Sequence, residues 1–330
     1  MPRPVPPGGD TSNRWIGLQK MLADPLREHP ALKRSLRVGG YLLCGALLAD
    51  VGYRASTRFS PERLRAADLA LCLVLGIISW TALGCGWAVL SHRWIGPRAA
   101  LWIWVRTQLL RYLPGAVWGP AARARGATTR LGQGVTLVVT ESVLALGVAS
   151  TVGSAVLAAS ASRAWVVAAA GGMLILAGTA GLSRRLGLGP GTIVAAIGCY
   201  VVSFLTYGAM ALTAQVAVGP VARPGQVFGV SLIAWVAGVV VVTAPGGLGA
   251  REAAYVALLA GLLSNTGPLS AGAVAGRLVM LLSEVVVLAA VAAARTRRRS
   301  ERRVDPSQPT QPRSAKVDEQ RVAVTGATTA

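Results

Sequence analysis

The sequence predicts an all-α fold, a polytopic transmembrane helix bundle of about seven to eight spans. Hydrophobic residues make up 53% of the chain and charged residues 14%, whereas roughly a quarter of the residues in a soluble domain are charged. The mean hydropathy is +0.54. Several apolar runs reach the ~18–20 residues that cross the hydrocarbon of a bilayer. We therefore expect a multi-pass protein of the plasma (cell) membrane.

Charge and composition divide the chain into three parts. Residues 1–37 carry seven basic residues and form a predicted cytoplasmic leader. Residues 38–294 hold the apolar runs and form the predicted transmembrane domain. Residues 295–330 begin with a cluster of arginines and continue rich in Pro, Ser, Thr and Gln. Because this tail lacks apolar periodicity, we expect it to be disordered and cytoplasmic.

Nine apolar runs are of unequal length. The first run, 38–53, is marginal for a span and contains Asp50. A run of 12 residues at 99–110 is too short to cross and predicts a re-entrant or interfacial element. Another short run occupies 253–264. The clearer spans fall near residues 69–90, 134–159, 164–182, 191–214, 226–244 and 271–293.

The basic residues predict the orientation. The leader has seven, the 91–133 region seven and the tail nine, which places all three in the cytoplasm. Two cytoplasmic termini require an even number of crossings. Either 253–264 completes an eighth crossing or 38–53 does not cross. The net charge of +20 lies at the two ends and in short loops, which favours anionic lipid headgroups over nucleic acid as the partner.

Few residues are suited to metal, cofactor or catalytic chemistry. His29 and His92 are the two histidines, and the four cysteines lie in apolar runs without a C-x-x-C pair. We therefore expect neither a metal nor a cofactor. The phosphate-binding pattern G-x-x-x-x-G-K-[ST] is absent, so active pumping needs an ion gradient or a partner. An intramembrane enzyme is the least favoured function class.

A helix-breaking stretch at 243–252 is the most informative motif. Lipid offers no hydrogen bonds to broken backbone, so such a break needs protein or a water-filled cavity around it. A helix that starts near Ala250 directs its amides at the break, where an arginine adds a charge suited to phosphate. The alternative is that Arg251 and Glu252 cap and pair locally at a membrane surface. The candidate headgroup residues here are Pro245, Gly246, Gly247, Gly249, Arg251 and Glu252.

A similar break lies in the first half of the chain, where Arg111 precedes Pro114 and Gly115. Paired interrupted segments in two halves are typical of transporter binding sites. We therefore expect two half-repeats with broken or re-entrant helices, whose arginines face one shared polar hollow. The alternative for Arg111 is an interfacial arginine that extends its charge into the headgroups.

Three further ionisable residues lie inside apolar runs: Glu141, Arg277 and Glu284. Arg277 and Glu284 are seven residues apart, too far for direct contact in a regular helix. We expect each to have a partner on another span. Such pairs either gate a pathway or fix the packing. Tryptophans are enriched at membrane interfaces, and this is the position expected for Trp87, Trp94, Trp102 and Trp104.

Both breaks resemble the membrane region of the lysylphosphatidylglycerol synthase/flippase family. The family's basic residue, aromatic residue, Leu/Ile, Pro-Gly and Val-Trp resemble Arg111 to Trp118. Its Pro-Gly-Gly-x-Gly-x-Arg-Glu resembles Pro245 to Glu252. A glycine-rich stretch with a downstream glutamate, Gly132 to Glu141, also fits. The resemblance covers roughly residues 38–294.

The resemblance implies a stand-alone, flippase-like membrane protein that binds or translocates an anionic lipid, either a phospholipid or a polyprenyl phosphate. Family members that make aminoacyl-lipids carry a large soluble catalytic domain after the membrane part. About 35 residues follow the last span here, too few to bury an enzyme core. We therefore expect no aminoacyltransferase activity. The alternative is a non-transporting partner or scaffold of a separate lipid- or glycan-modifying membrane enzyme. The sequence does not indicate an oligomeric state.

Overall fold

The computed structural model describes residues 65–112, 118–128, 130–221, 223–241, 245–262 and 269–304, with residues 46, 49, 50 and 53. The leader (1–37), most of the first apolar run and the tail beyond residue 304 lie outside the described residues. Contacts divide the chain after Leu288 into two units. The ionisable cluster described below lies in the first of them.

The described residues form an all-α structure, as predicted, with nine α-helices and two short 3₁₀ turns and no strand among them. The helices are α1 (Ala66–Ser91), α2 (Pro97–Gln108), α3 (Trp118–Ala127), α4 (Leu131–Ser160), α5 (Trp165–Arg185), α6 (Pro190–Val218), α7 (Pro224–Val240), α8 (Ala250–Leu262) and α9 (Leu269–Val304). The first 3₁₀ turn is Leu109–Tyr112 and the second is Pro245–Gly247.

Five of these helices are long and apolar enough to cross a membrane: α1, α4, α5, α6 and, over Leu269–Arg297, α9. Two expected spans correspond to shorter helices, α7 with 17 residues and α8 with 13. At 1.5 Å per residue, α8 is about 20 Å long, which is less than the hydrocarbon thickness. It does not complete a crossing by itself.

Large apolar side chains lie on the outside of the bundle. On α5, Val167 is 78% exposed and Leu174 is 74% exposed. An outward apolar surface of this kind is suited to lipid, and together with the five long apolar helices it identifies a membrane-embedded protein.

Close approach of helices follows from small residues at their crossings. A Cβ added at Gly76 on α1 would clash with Oγ of Ser283 on α9. Along the same face of α1, the Ser79 hydroxyl donates to the carbonyl of Ser203 on α6 at 2.9 Å. Glycine and serine allow membrane helices to pack backbone against backbone. The interior polar groups are thereby brought within reach of one another.

The same local arrangement occurs twice. Helix α2 leads into the first 3₁₀ turn and then α3, while α7 precedes the second 3₁₀ turn and then α8. The two turns contact each other. None of the three short helices α2, α3 and α8 is long enough to cross a bilayer alone. The two 3₁₀ turns therefore lie side by side within the bundle.

Candidate functional site

Seven charged side chains of the interior form a cluster at two adjoining hollows; six line the hollows, and Glu284 pairs with one of those six. All are buried except Arg111, which is half-buried. Such groups inside a membrane bundle need a partner or a polar cavity. They are Arg111, Arg123, Glu141, Arg251, Glu252, Arg277 and Glu284.

The larger hollow has a volume of about 210 Å³. Its polar wall comes from the end of α2, the first turn, α3 and α4, and holds Gln108, Arg111, Arg123 and Glu141. Its other lining is apolar and rich in aromatic rings, including Trp80, Leu83, Trp104, Phe204 and Trp235. A lining with one charged side and one apolar side suits an amphipathic molecule.

Arg123 and Glu141 form the tightest pair in this wall. Nη1 of Arg123 lies 2.5 Å from each carboxylate oxygen of Glu141. Nε1 of Trp104 donates to Oε1 of Glu141 at 3.2 Å, and Nε of Arg123 donates to the Thr107 hydroxyl at 3.3 Å. The guanidinium also lies 5.4 Å from the ring centre of Trp87, a cation–π distance. This pair ties α3 to α4 with its charges satisfied.

Arg111 and Glu284 form the second pair. Nη2 of Arg111, in the first turn, lies 2.7 Å from Oε2 of Glu284 on α9. The same guanidinium lies 4.7 Å from the ring centre of Trp80 on α1. The Trp80 ring is itself fixed in position, because its Nε1 donates to the carbonyl of Met280 at 3.3 Å. Arg111 therefore connects the first turn to α1 and α9.

Arg277 and Glu252 form the third pair, at the smaller hollow. Nε of Arg277 lies 3.6 Å from Oε1 of Glu252, and its Nη2 donates to the carbonyl of Gly246 at 3.3 Å. Oε2 of Glu252 accepts from the backbone amide of Gly249 at 2.8 Å. Glu252 is the third residue of α8, so this bond is one half of a capping box. The expected alternative of local capping thus occurs for Glu252.

Arg251 differs from the other three arginines. It is 7% exposed, and no carboxylate pairs with it in the described part of the chain. Its Nη1 lies 2.8 Å from the sulfur of Met280, and its Nε has no hydrogen-bond partner among those residues. Its Cζ is 5.8 Å from the ring centre of Tyr207. Three arginines are matched to three glutamates, and Arg251 is left as a positive charge beside a hollow.

The second turn explains why Arg251 reaches this position. Gly246, Gly247 and Gly249 have φ angles of 59°, 69° and 78°, values that L side chains rarely adopt. A Cβ added at Gly247 would lie 2.8 Å from the carbonyl oxygen of Gly238 on α7, so the turn packs directly on that helix. Helix α8 then begins at Ala250, as predicted. Pro245 opens the turn, whereas Pro114 and Gly115 lie outside the described residues.

Arg111 and Arg251 do not line one shared hollow, contrary to the expectation. The smaller hollow, about 30 Å³, is lined by Arg251, Glu252 and Arg277, and the larger one by Arg111. Three side chains, Tyr207, Met210 and Met280, line both hollows and separate them. Two of these three side chains are methionines, whose flexible, unbranched chains adapt to irregular gaps.

One arginine and two tryptophans of this region are buried, although the sequence did not predict their burial. Arg123, counted there as one of several loop arginines, is buried against Glu141. The signal was Glu141 itself, a carboxylate within a span that requires a basic partner. Trp87 and Trp104, expected at the membrane interface, are 0% and 2% exposed. Both rings face the Arg123 guanidinium inside the bundle and not its outer surface.

The described residues contain no group of three or more His, Cys, Asp or Glu side chains arranged to hold a metal ion. No protein-family model and no curated protein matches this chain.

Proposed function

We propose that this membrane protein binds the anionic headgroup of a lipid, a phospholipid or a polyprenyl phosphate, at its two hollows and moves it across the plasma membrane. The proposal includes cytoplasmic termini and a non-enzymatic role like that of the flippase-like membrane region that the two motifs resemble. The observation that carries it is Arg251, a guanidinium buried beside a hollow without an acidic partner in the described chain.

The charge of this site favours an anion as ligand. A buried charge in a membrane bundle is costly unless another charge or water compensates it. The guanidinium presents planar, bidentate donors that match phosphate oxygens. The N-terminus of α8 adds the positive end of its dipole, although Glu252 already occupies one of its amides.

The larger hollow favours a lipid as the source of that anion. Its volume of about 210 Å³ adjoins the Arg251 hollow across one layer of side chains. Its arginine and glutamine groups suit a headgroup, while Trp80, Phe204 and Trp235 suit the glycerol and the first methylenes of an acyl chain.

A proteoliposome assay of lipid translocation tests this function. Purified full-length protein is reconstituted with a fluorescent anionic phospholipid, and its transfer between leaflets is followed by quenching from outside. Because a charge-assisted hydrogen bond contributes about 1.5–3 kcal/mol, we expect Arg251→Gln to slow translocation by about tenfold or more.

Arg106→Gln is the matched control, since Arg106 lies on α2 and is exposed. We expect it to translocate at the unmodified rate. Equal rates for the unmodified protein, Arg251→Gln and protein-free vesicles contradict a transport role. Such a result, with an enzyme co-purifying in stoichiometric amount, favours the scaffold alternative instead.

A further inference from the structure

The sulfur of Met280 occupies the position where an anion would meet Arg251. It lies 2.8 Å from Nη1 of Arg251 and 4.0 Å from Nη1 of Arg277. A thioether is a weak acceptor, whereas a guanidinium donates strong, charge-assisted hydrogen bonds. The strongest buried donor in the smaller hollow therefore faces one of the weakest acceptors that a protein provides.

Nearby carboxylates are already engaged. Glu252 accepts from the Gly249 amide and pairs with Arg277. Glu284 pairs with Arg111, and Glu141 pairs with Arg123. Moving any of them toward Arg251 would strand another buried charge, which costs more than the move gains. Among the described residues no carboxylate is left for Arg251, which leaves a ligand as the source of its negative charge.

We propose that Arg251 binds a singly charged phosphodiester group in the place that the Met280 thioether now holds. This inference rests on the proposed function and names its substrate class. One negative charge on the ligand gives Arg251 the kind of partner that Arg111, Arg123 and Arg277 already have. A doubly charged phosphomonoester would leave one buried negative charge uncompensated, and a zwitterionic headgroup would bring a further positive charge that no additional carboxylate of the described residues balances.

Displacing Met280 also provides room. The smaller hollow holds about 30 Å³, enough for one or two water molecules. Met280 lines both hollows, so rotation of its flexible, unbranched side chain joins the smaller hollow to the larger one of about 210 Å³. The phosphodiester then lies at Arg251, and the rest of the molecule extends toward Trp80 and Phe204.

Three lipids with identical acyl chains test the charge class. The full-length protein in nanodiscs is offered phosphatidylmethanol, a singly charged phosphodiester, phosphatidic acid, a phosphomonoester, and phosphatidylcholine, a zwitterion. Native mass spectrometry at pH 8 counts the bound lipids. At this pH a phosphomonoester carries nearly two charges. We expect phosphatidylmethanol to bind roughly tenfold more tightly than either of the others.

Dimethyl phosphate, the same phosphodiester without acyl chains, separates a lipid from a soluble ligand. We expect it to compete at least a hundredfold more weakly than phosphatidylmethanol, because it leaves the apolar lining of the larger hollow unfilled. Equal competition by dimethyl phosphate refutes a lipid as the ligand, but it leaves a singly charged phosphodiester as the group that Arg251 binds.

Two variants at one position test the role of Met280. Met280→Glu builds a carboxylate beside Arg251, so we expect it to raise the melting temperature and abolish phosphatidylmethanol binding. Met280→Gln has the same length without the charge, so the Glu-to-Gln difference isolates the charge. Equal binding by the two variants refutes the inference that the ligand replaces the thioether.

The outcomes for the two proposals are distinct. Preferential binding of phosphatidic acid overturns the singly charged class while leaving anionic lipid binding in place. Binding of all three lipids at the level of phosphatidylcholine overturns both. The lipid comparison uses the unmodified chain, so it decides the charge class even if Met280→Glu does not fold.

Discussion

Nη2 of Arg111 lies 2.7 Å from Oε2 of Glu284, which is 173 residues further along the chain. The pair connects the first 3₁₀ turn to α9 and so links the two halves of the bundle. Arg111 lies in the first 3₁₀ turn. Glu284 lies one helical turn beyond Met280, whose sulfur contacts Arg251 just after the second 3₁₀ turn.

Breaking this pair is expected to destabilise the fold. Glu284→Gln leaves the Arg111 guanidinium without its carboxylate, and removing one partner of a buried pair costs about 3 kcal/mol. The measurement is thermal unfolding in detergent, read by loss of monodisperse protein. Arg111→Gln combined with Glu284→Gln removes both charges, and we expect the double variant to recover most of the loss. A double variant that loses the sum of both single effects contradicts a direct interaction.

Neighbouring arginines on α3 are expected to respond differently. Arg123 is buried against Glu141, and Arg125 on the same short helix is exposed. Arg123→Gln should lower the free energy of unfolding by about 3 kcal/mol, because Glu141 becomes an uncompensated buried charge. Arg125→Gln should change it by less than about 0.5 kcal/mol. Thermal unfolding of both variants side by side checks this, and similar melting temperatures would argue against the Arg123–Glu141 pair.

Gly247 is expected to be intolerant of a side chain. Its φ of 69° is unfavourable for alanine, and an added Cβ would meet the Gly238 carbonyl at 2.8 Å. Gly247→Ala should destabilise the protein by about 1–3 kcal/mol and displace Arg251. Gly198→Ala on α6 is the matched control, since no atom lies within 4 Å of its added Cβ. We expect the control to be neutral or slightly stabilising. Comparable melting temperatures for the two alanine variants are the contrary result.

Helix positions were largely predictable from composition. The predicted spans 69–90, 134–159 and 191–214 lie within α1, α4 and α6, since a bilayer requires long apolar runs that are visible in the sequence. The second turn was predictable for a different reason. Its glycines adopt positive φ, which other residues adopt rarely, so the motif itself encodes the break.

Side-chain partners were not predictable, because they depend on how the helices pack. A partner on another span was expected for Arg277 and for Glu284, yet Glu252 and Arg111 were not assigned to them in advance. Trp104 carries the amphipathic ring of an interfacial residue, but its Nε1 donates to Glu141 in the interior. Whether a tryptophan faces lipid or a buried carboxylate is decided by the rotation of its helix, which periodicity in a mostly apolar segment does not specify.

The central claim is that Arg251 holds an anionic lipid, and the lipids that remain bound after purification in mild detergent test it most directly. Mass spectrometry of the unmodified protein, Arg251→Gln and the exposed-site control Arg106→Gln gives the comparison. We predict an anionic lipid enriched over the bulk membrane in the unmodified protein and the control, and lost from Arg251→Gln. The same anionic lipid content in all three proteins would contradict the claim.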